Sequence, residues 1–233
     1  MNYAMNERIV RVEVRDRIVT PATSEVTVVV RVRDRTDSTH LRGRFAGPRC
    51  LFASTVEVAY PLRPLPSSEP DELMARVIIP EASLWDTQSP FLYAGPVEVW
   101  EGDRLCDVVH VRHGLRVLRF GSTGISLNGR PIAVRGKRID RPLREKEALQ
   151  LRKLGYNLLV TPVSAETIAT WDIADRVGFL VTGRITSADG PTGELIDALS
   201  RHPCSAGWLA KGVDLPVKNL ISEEAMAALG PID

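Results

Sequence analysis

Residues 125–136, ISLNGRPIAVRG, separate two sequence regimes, and the change between them constrains the fold more than any other feature. Upstream, apolar residues recur at every second position. Downstream, short apolar runs alternate with segments of helical period, so the chain passes from a β architecture to an α/β one. Asn128-Gly129 is itself a hairpin signal, because a type I′ turn needs positive φ at both central residues. Ile125, Leu127, Ile132 and Val134 alternate on its flanks as strand residues do.

The upstream half reads as a series of strands. Ile9, Val10, Val12 and Val14 open one, and the Val-rich run 26–32 forms a second. Residues 34–49 hold Asp, Ser, Gly and Pro and read as a turn-rich gap, after which LFASTVEVAY alternates and the proline-rich 61–70 breaks the pattern. ELMARVIIP is the next strand. Pro96 precedes VEVWEGDRLCDVVHV, in which Glu101-Gly102-Asp103 marks a turn between two arms. About seven strands at this spacing predict an all-β immunoglobulin-like sandwich over residues 1–120.

Beyond the joint, residues 143–154 place Ala148, Leu151 and Leu154 on one helical face, with Gly155 at the C-cap position. NLLVTPV is a buried-strand run. Ser164 then caps a helix whose Ile168, Trp171, Ala174 and Val177 face inward, closed by Gly178. GFLVTGRI, a helix in GELIDALSRHP and the strand SAGWLAKG follow, and AVRG counts as the first strand. Strand and helix alternating through short loops predict a parallel α/β sheet over residues 121–233, a truncated (β/α)-barrel-like domain with a tail. An eight-unit barrel needs about 250 residues, so only its first half fits.

The 30 basic and 29 acidic residues leave a net charge of +1, which supplies no whole-molecule field toward nucleic acid or an anionic membrane. Arg31, Arg33, Arg35, Arg42, Arg44 and Arg49 form the one basic cluster of the upstream half. It reads as a solvated strand face partly balanced by Asp34 and Asp37, since only Phe45 could stack a base. No run has the length of a membrane span or of a signal peptide, so a cytoplasmic chain is expected. Cys50, Cys106 and Cys204 are far apart and read as buried free thiols, and His40, His110, His113 and His202 show no metal-ligand spacing. Neither a metal nor a cofactor is expected. GSTG at 121–124 lacks the Lys and helix of a phosphate loop.

LWDTQSPFLY at 84–93 resembles the "LWSPENPYLY" segment that ends the sandwich domain of glycoside hydrolase family 2, the β-galactosidase and β-glucuronidase group. HGLRVLRF and ISLNGRPIAVRG are similar to that family's "FGFR" strand and its "FLLNGKPVFLRG" entry to the catalytic barrel. WDIADRVGFLV is similar to "FYDLCDELGLYV", and RHPCSAGW to "NHPSVIMW". The resemblance spans most of residues 5–210 and implies a sandwich followed by the first half of a (β/α)8 barrel.

Carried over position by position, the family's chemistry is missing. Its "RGVNRH" falls on Arg135, Gly136, Lys137, Arg138, Ile139 and Asp140, without the His. The Arg and His of "VRTSHYP" become Val160 and Val163, and the acidic pair after the third strand becomes Gly183-Arg184. The Asn-Glu pair that ends "HPSVIMWSLGNE" falls on Gly212 and Val213, so valine holds the acid/base place. The nucleophile belongs to the absent half, and retaining hydrolysis needs both carboxyls about 5–5.5 Å apart. Asp214, Glu223 and Glu224 are the nearest remaining carboxylates.

No catalytic residue is therefore assigned. The resemblance implies a non-catalytic family 2-like protein acting as a binding or assembly module, with an alternative as a glycosidase component whose carboxylates come from another chain. A decaying fragment is the third reading. Any ligand cleft is expected at the carboxyl ends of the sheet strands, around Arg138, Asp140, Arg184 and Trp208. Trp208 reads first as core and second as a platform for a sugar. The expected partners are a second copy or another protein joined through the half barrel, whose open face and edges need cover, and a carbohydrate. Nucleic acid and membrane are not expected.

Overall fold

The structure, a computed structural model, describes residues 8–121, 124–185, 193–210, 221 and 231–233. The chain divides into two compact units. One comprises Met1–Arg49, Ser54–Leu84 and Phe91–Leu115, and the other Cys50–Ala53, Trp85–Pro90 and Arg116–Asp233.

The first unit is a β-sandwich of two four-stranded antiparallel sheets. One has the order β1 (Ile9–Ile18), β2 (Thr23–Val32), β6 (Glu72–Pro80), β5 (Arg63–Leu65), and the other β4 (Val58–Pro61), β3 (Thr39–Arg49), β7 (Leu92–Glu101), β8 (Arg104–His113). Alternation decides which side chains meet between the sheets. Val26, Val28 and Val30 of β2 and Ala75, Val77 and Ile79 of β6 face Phe45, Val97 and Val99, all with at most 1% exposure.

The stretch expected as a turn-rich gap contains β3, eleven residues long. Its glycines permit close backbone approach rather than a turn. A Cβ on Gly43 would lie 2.1 Å from the Pro96 carbonyl oxygen, and one on Gly47 would lie 2.7 Å from the Tyr93 ring. Conversely, LFASTVEVAY contributes only the short β4. Strand β7 begins at Leu92, so Pro96 lies inside it rather than before it.

The arginine cluster is balanced by other partners than expected. Arg31 pairs with Asp71 at 3.1 Å, and Arg49 with Glu57 at 2.7 Å. Arg42 lies 4.4 Å over the Trp100 ring and 3.7 Å from Asp103, while Arg35 donates to the carbonyls of Glu69 and Glu72. Phe45 is fully buried and cannot stack a base.

The second unit opens with a three-stranded sheet of β9 (Leu118–Gly121), β10 (Gly124–Leu127) and β11 (Arg130–Ile132). The β10–β11 turn has Asn128 at φ 52° and Gly129 at φ 79°, the two positive φ values that a type I′ hairpin needs. A parallel sheet follows in the order β12 (Gly136–Arg138), β13 (Leu158–Pro162), β14 (Leu180–Ile185), β15 (Ser205–Ala210). Helices α1 (Glu145–Lys153), α2 (Ile168–Val177) and α3 (Gly193–Leu199) fall between its strands. Gly178 ends α2 at φ 86°, in the left-handed conformation that closes helices.

Two positions expected on inward helix faces point outward: Leu154 is 61% exposed and Ile168 37%. Each stands at an end of its helix, Leu154 as the C-cap of α1 and Ile168 as the first residue of α2. Leu143, just before α1, is buried, and its amide donates to Thr170 Oγ1 at 3.2 Å.

Sheet burial overturns the expectation of an open face. Consecutive residues Leu158, Leu159, Val160 and Thr161, like Leu180, Val181 and Thr182, are at most 1% exposed. Successive strand residues point to opposite faces, so both faces are covered within the single chain. Each edge strand also makes backbone bonds outside the sheet. Residues 231–233 pair in parallel with β12, and the Ile221 amide donates to the Trp208 carbonyl on β15 at 2.8 Å.

Candidate functional site

The segment Trp85–Pro90 is held by side chains that the sequence motifs supply. Trp85 is fully buried, and its Nε1 donates to the Asp175 carbonyl at 2.8 Å. Asn128 of the hairpin turn donates from Nδ2 to the Trp85 carbonyl at 2.9 Å. Asp86 Oδ1 accepts from the amides of Gln88 and Ser89, which shapes the turn. Arg152, at the end of α1, donates to the carbonyls of Thr87, Gln88 and Val177 and stacks 3.9 Å from the Phe52 ring centre. Burial of this guanidinium lowers its pKa from the usual arginine range. These residues carry architecture: they fix the Trp85–Pro90 turn against α1, α2 and the hairpin.

Of the four candidate cleft residues, two come together. Arg184, at the carboxyl end of β14, forms an ion pair with Asp140, just past β12, and their side chains are 28% and 66% exposed. Arg184 Nε is buried with no acceptor among the described residues. Arg138 ends β12, exposed, with its amide bonded to the Asp233 carbonyl at 2.9 Å. Trp208 is 2% exposed and stacks on Trp171 with ring centres 6.4 Å apart and planes 21° apart, so it fills volume and offers no face to a sugar. Gly212, Val213, Asp214, Glu223 and Glu224 lie outside the described residues.

A second cluster joins Asp175 of α2 with His202 and Cys204, whose donor atoms all lie within 4.8 Å of one another. His202 Nδ1 is 2.6 Å from Asp175 Oδ2, and the Cys204 amide donates to Oδ1 at 3.0 Å. Two ligands of one zinc ion at bond lengths of about 2.0–2.3 Å and tetrahedral angles stand roughly 3.3 Å or more apart, so 2.6 Å is hydrogen-bond geometry. The Cys204 thiol donates to the Trp171 carbonyl, and burial pushes its pKa well above the ordinary value, away from a ligating thiolate. The cluster ties α2 to the start of β15. Its one sequence signal is the resemblance of RHPCSAGW to a family motif. Cys204 is buried as expected, whereas Cys50 and Cys106 are only partly so, and all three are free.

No protein-family model matches the sequence, and no curated protein matches it. Solved structures do. A glycosyl hydrolase family 2 member from Bacteroides cellulosilyticus DSM 14838 superposes with a TM-score of 0.66 at 17% identity, covering 96% of this chain and 36% of that one. An FMN-binding β-glucuronidase from Facaelibacterium prausnitzii L2-6 gives 0.66 at 17% identity, covering 93% and 36%. A β-glycosidase from Bacteroides vulgatus gives 0.63 at 14%, covering 88% and 30%. At these identities the likeness establishes architecture, and the chain has the fold of family 2 glycosyl hydrolases over about a third of their length.

Proposed function

We propose that this chain is a non-catalytic relative of family 2 glycosidases, an immunoglobulin-like sandwich joined to the first half of a (β/α)8 barrel, working as a binding or assembly module. The observation that carries the reading is Val213 at the place of the acid/base glutamate: an alkyl side chain neither donates nor accepts a proton. The described parallel sheet has four strands where a barrel has eight, which supports the half-barrel part of the reading. A two-chain glycosidase draws less support, because residues 231–233 pair with the β12 edge that a complementary strand would need.

A carbohydrate role rests on Arg184 and Asp140. Together they present a guanidinium and a carboxylate at the strand ends. Thermal-shift measurements with uronic acids, neutral monosaccharides and oligosaccharides test this role. Millimolar uronate is expected to raise the melting temperature of the wild type and to leave Arg184→Ala unmoved. No stabilisation by any sugar would withdraw the carbohydrate role and leave assembly.

A further inference from the structure

The outer edge of β12 holds an extended peptide of defined chemistry, and that peptide belongs to the chain itself. The Gly136 amide donates to the Pro231 carbonyl at 2.9 Å, the Asp233 amide to the Gly136 carbonyl at 3.1 Å, and the Arg138 amide to the Asp233 carbonyl at 2.9 Å. These three bonds make a short parallel ladder. Side chains then select. A Cβ on residue 136 would lie 2.9 Å from Ile232 Cγ1, so glycine leaves the space an apolar side chain fills. The Tyr156 hydroxyl donates to the Asp233 carboxylate. Arg135 and Lys137 place their cationic groups 4.5 Å and 5.7 Å from the Tyr156 ring centre, a setting that favours an acidic residue.

We propose that the β12 edge is a strand-addition site for an extended peptide carrying an apolar residue followed by an acidic one, with residues 231–233 as its occupant in cis. The occupant in trans is the same segment of a second copy of this chain, which fits the site by construction. Backbone bonds supply affinity at such an edge, and the side-chain pockets supply selectivity. The cis contact spans only three residues, so access in trans is governed by the effective concentration of the tethered segment. Assembly through this sheet is thereby an exchange of tails rather than the burial of an open face, and it does not depend on sugar binding.

The test uses the full-length chain carrying Ile232→Gly and Asp233→Asn, with a fluorescent peptide AALGPID that reproduces residues 227–233. Anisotropy titration is expected to give saturable binding to this variant, about tenfold or more tighter than to the wild type, whose own tail competes. Adding Tyr156→Phe to the variant should weaken the peptide severalfold, and a peptide ending in Gly-Asn should not bind. A cooperatively melting variant that binds AALGPID no better than the wild type overturns the proposal. Hydrogen exchange on the wild type gives a check that needs no variant: the Gly136 and Arg138 amides should be protected, and exchange at the rate of open loops would likewise overturn it.

Discussion

Replacing Trp208 with alanine is expected to destabilise the second unit by about 3–5 kcal/mol, the range for removing a buried indole from a packed core. The ring is 2% exposed, stacks on Trp171, and fills the space that Gly183 leaves. A Cβ on Gly183 would lie 2.5 Å from that ring and 2.6 Å from Val163 Cγ2, so Gly183→Ala alone should cost about 1–3 kcal/mol by overpacking. The double variant should cost less than the sum, because removing the ring makes room for the new methyl. Urea unfolding followed by circular dichroism checks the cycle. A Trp208→Ala loss of about 1 kcal/mol or less would mean that the ring lies at a surface, where it could serve a ligand.

The second large effect is expected at Asp175. Its carboxylate is 2% exposed and accepts from the His202 ring and from the Cys204 amide, so Asp175→Ala strands two donors at a buried helix–strand contact. The buried Cys204 amide left without a partner costs about 1–3 kcal/mol and the partly exposed His202 ring less, so the joint loss is expected at about 2–4 kcal/mol. Asp175→Asn keeps one carbonyl acceptor and should lose about half as much. Thermal unfolding of the two variants separates this account from a metal site. Were the cluster a metal centre, chelator would destabilise the wild type and leave Asp175→Ala unaffected, whereas here chelator should change neither protein.

Much of this architecture was legible because it is local. Alternating valines in β2 and the Asn128-Gly129 turn carry their own conformational preference, and Gly178 marks a helix end that only a residue tolerant of positive φ closes well. Strand β3 was obscured because Gly43 and Gly47 are read locally as turn formers, while their reason for being there is the approach of β7 some fifty residues later. The Asp175–His202 contact joins residues 27 apart, and the bonds between Gly136 and residues 231–233 join the two ends of the α/β unit. No periodicity reports such pairings. The candidate cleft was legible only in part: position in a parallel sheet places Arg184 and Asp140 at strand ends, but whether Trp208 faces ligand or core depends on Gly183 and Trp171, which only the packing brings to it.

The central claim is that the chain keeps the fold of a glycosidase without its chemistry. Assay of the purified full-length protein against aryl β-glucuronides and β-galactosides tests it most directly, because a covalent route needs both an acid/base and a nucleophile. The account predicts release of the aryl group at the buffer rate, unchanged in Asp214→Asn and Glu224→Gln. Turnover above that background, abolished by either substitution, would contradict it.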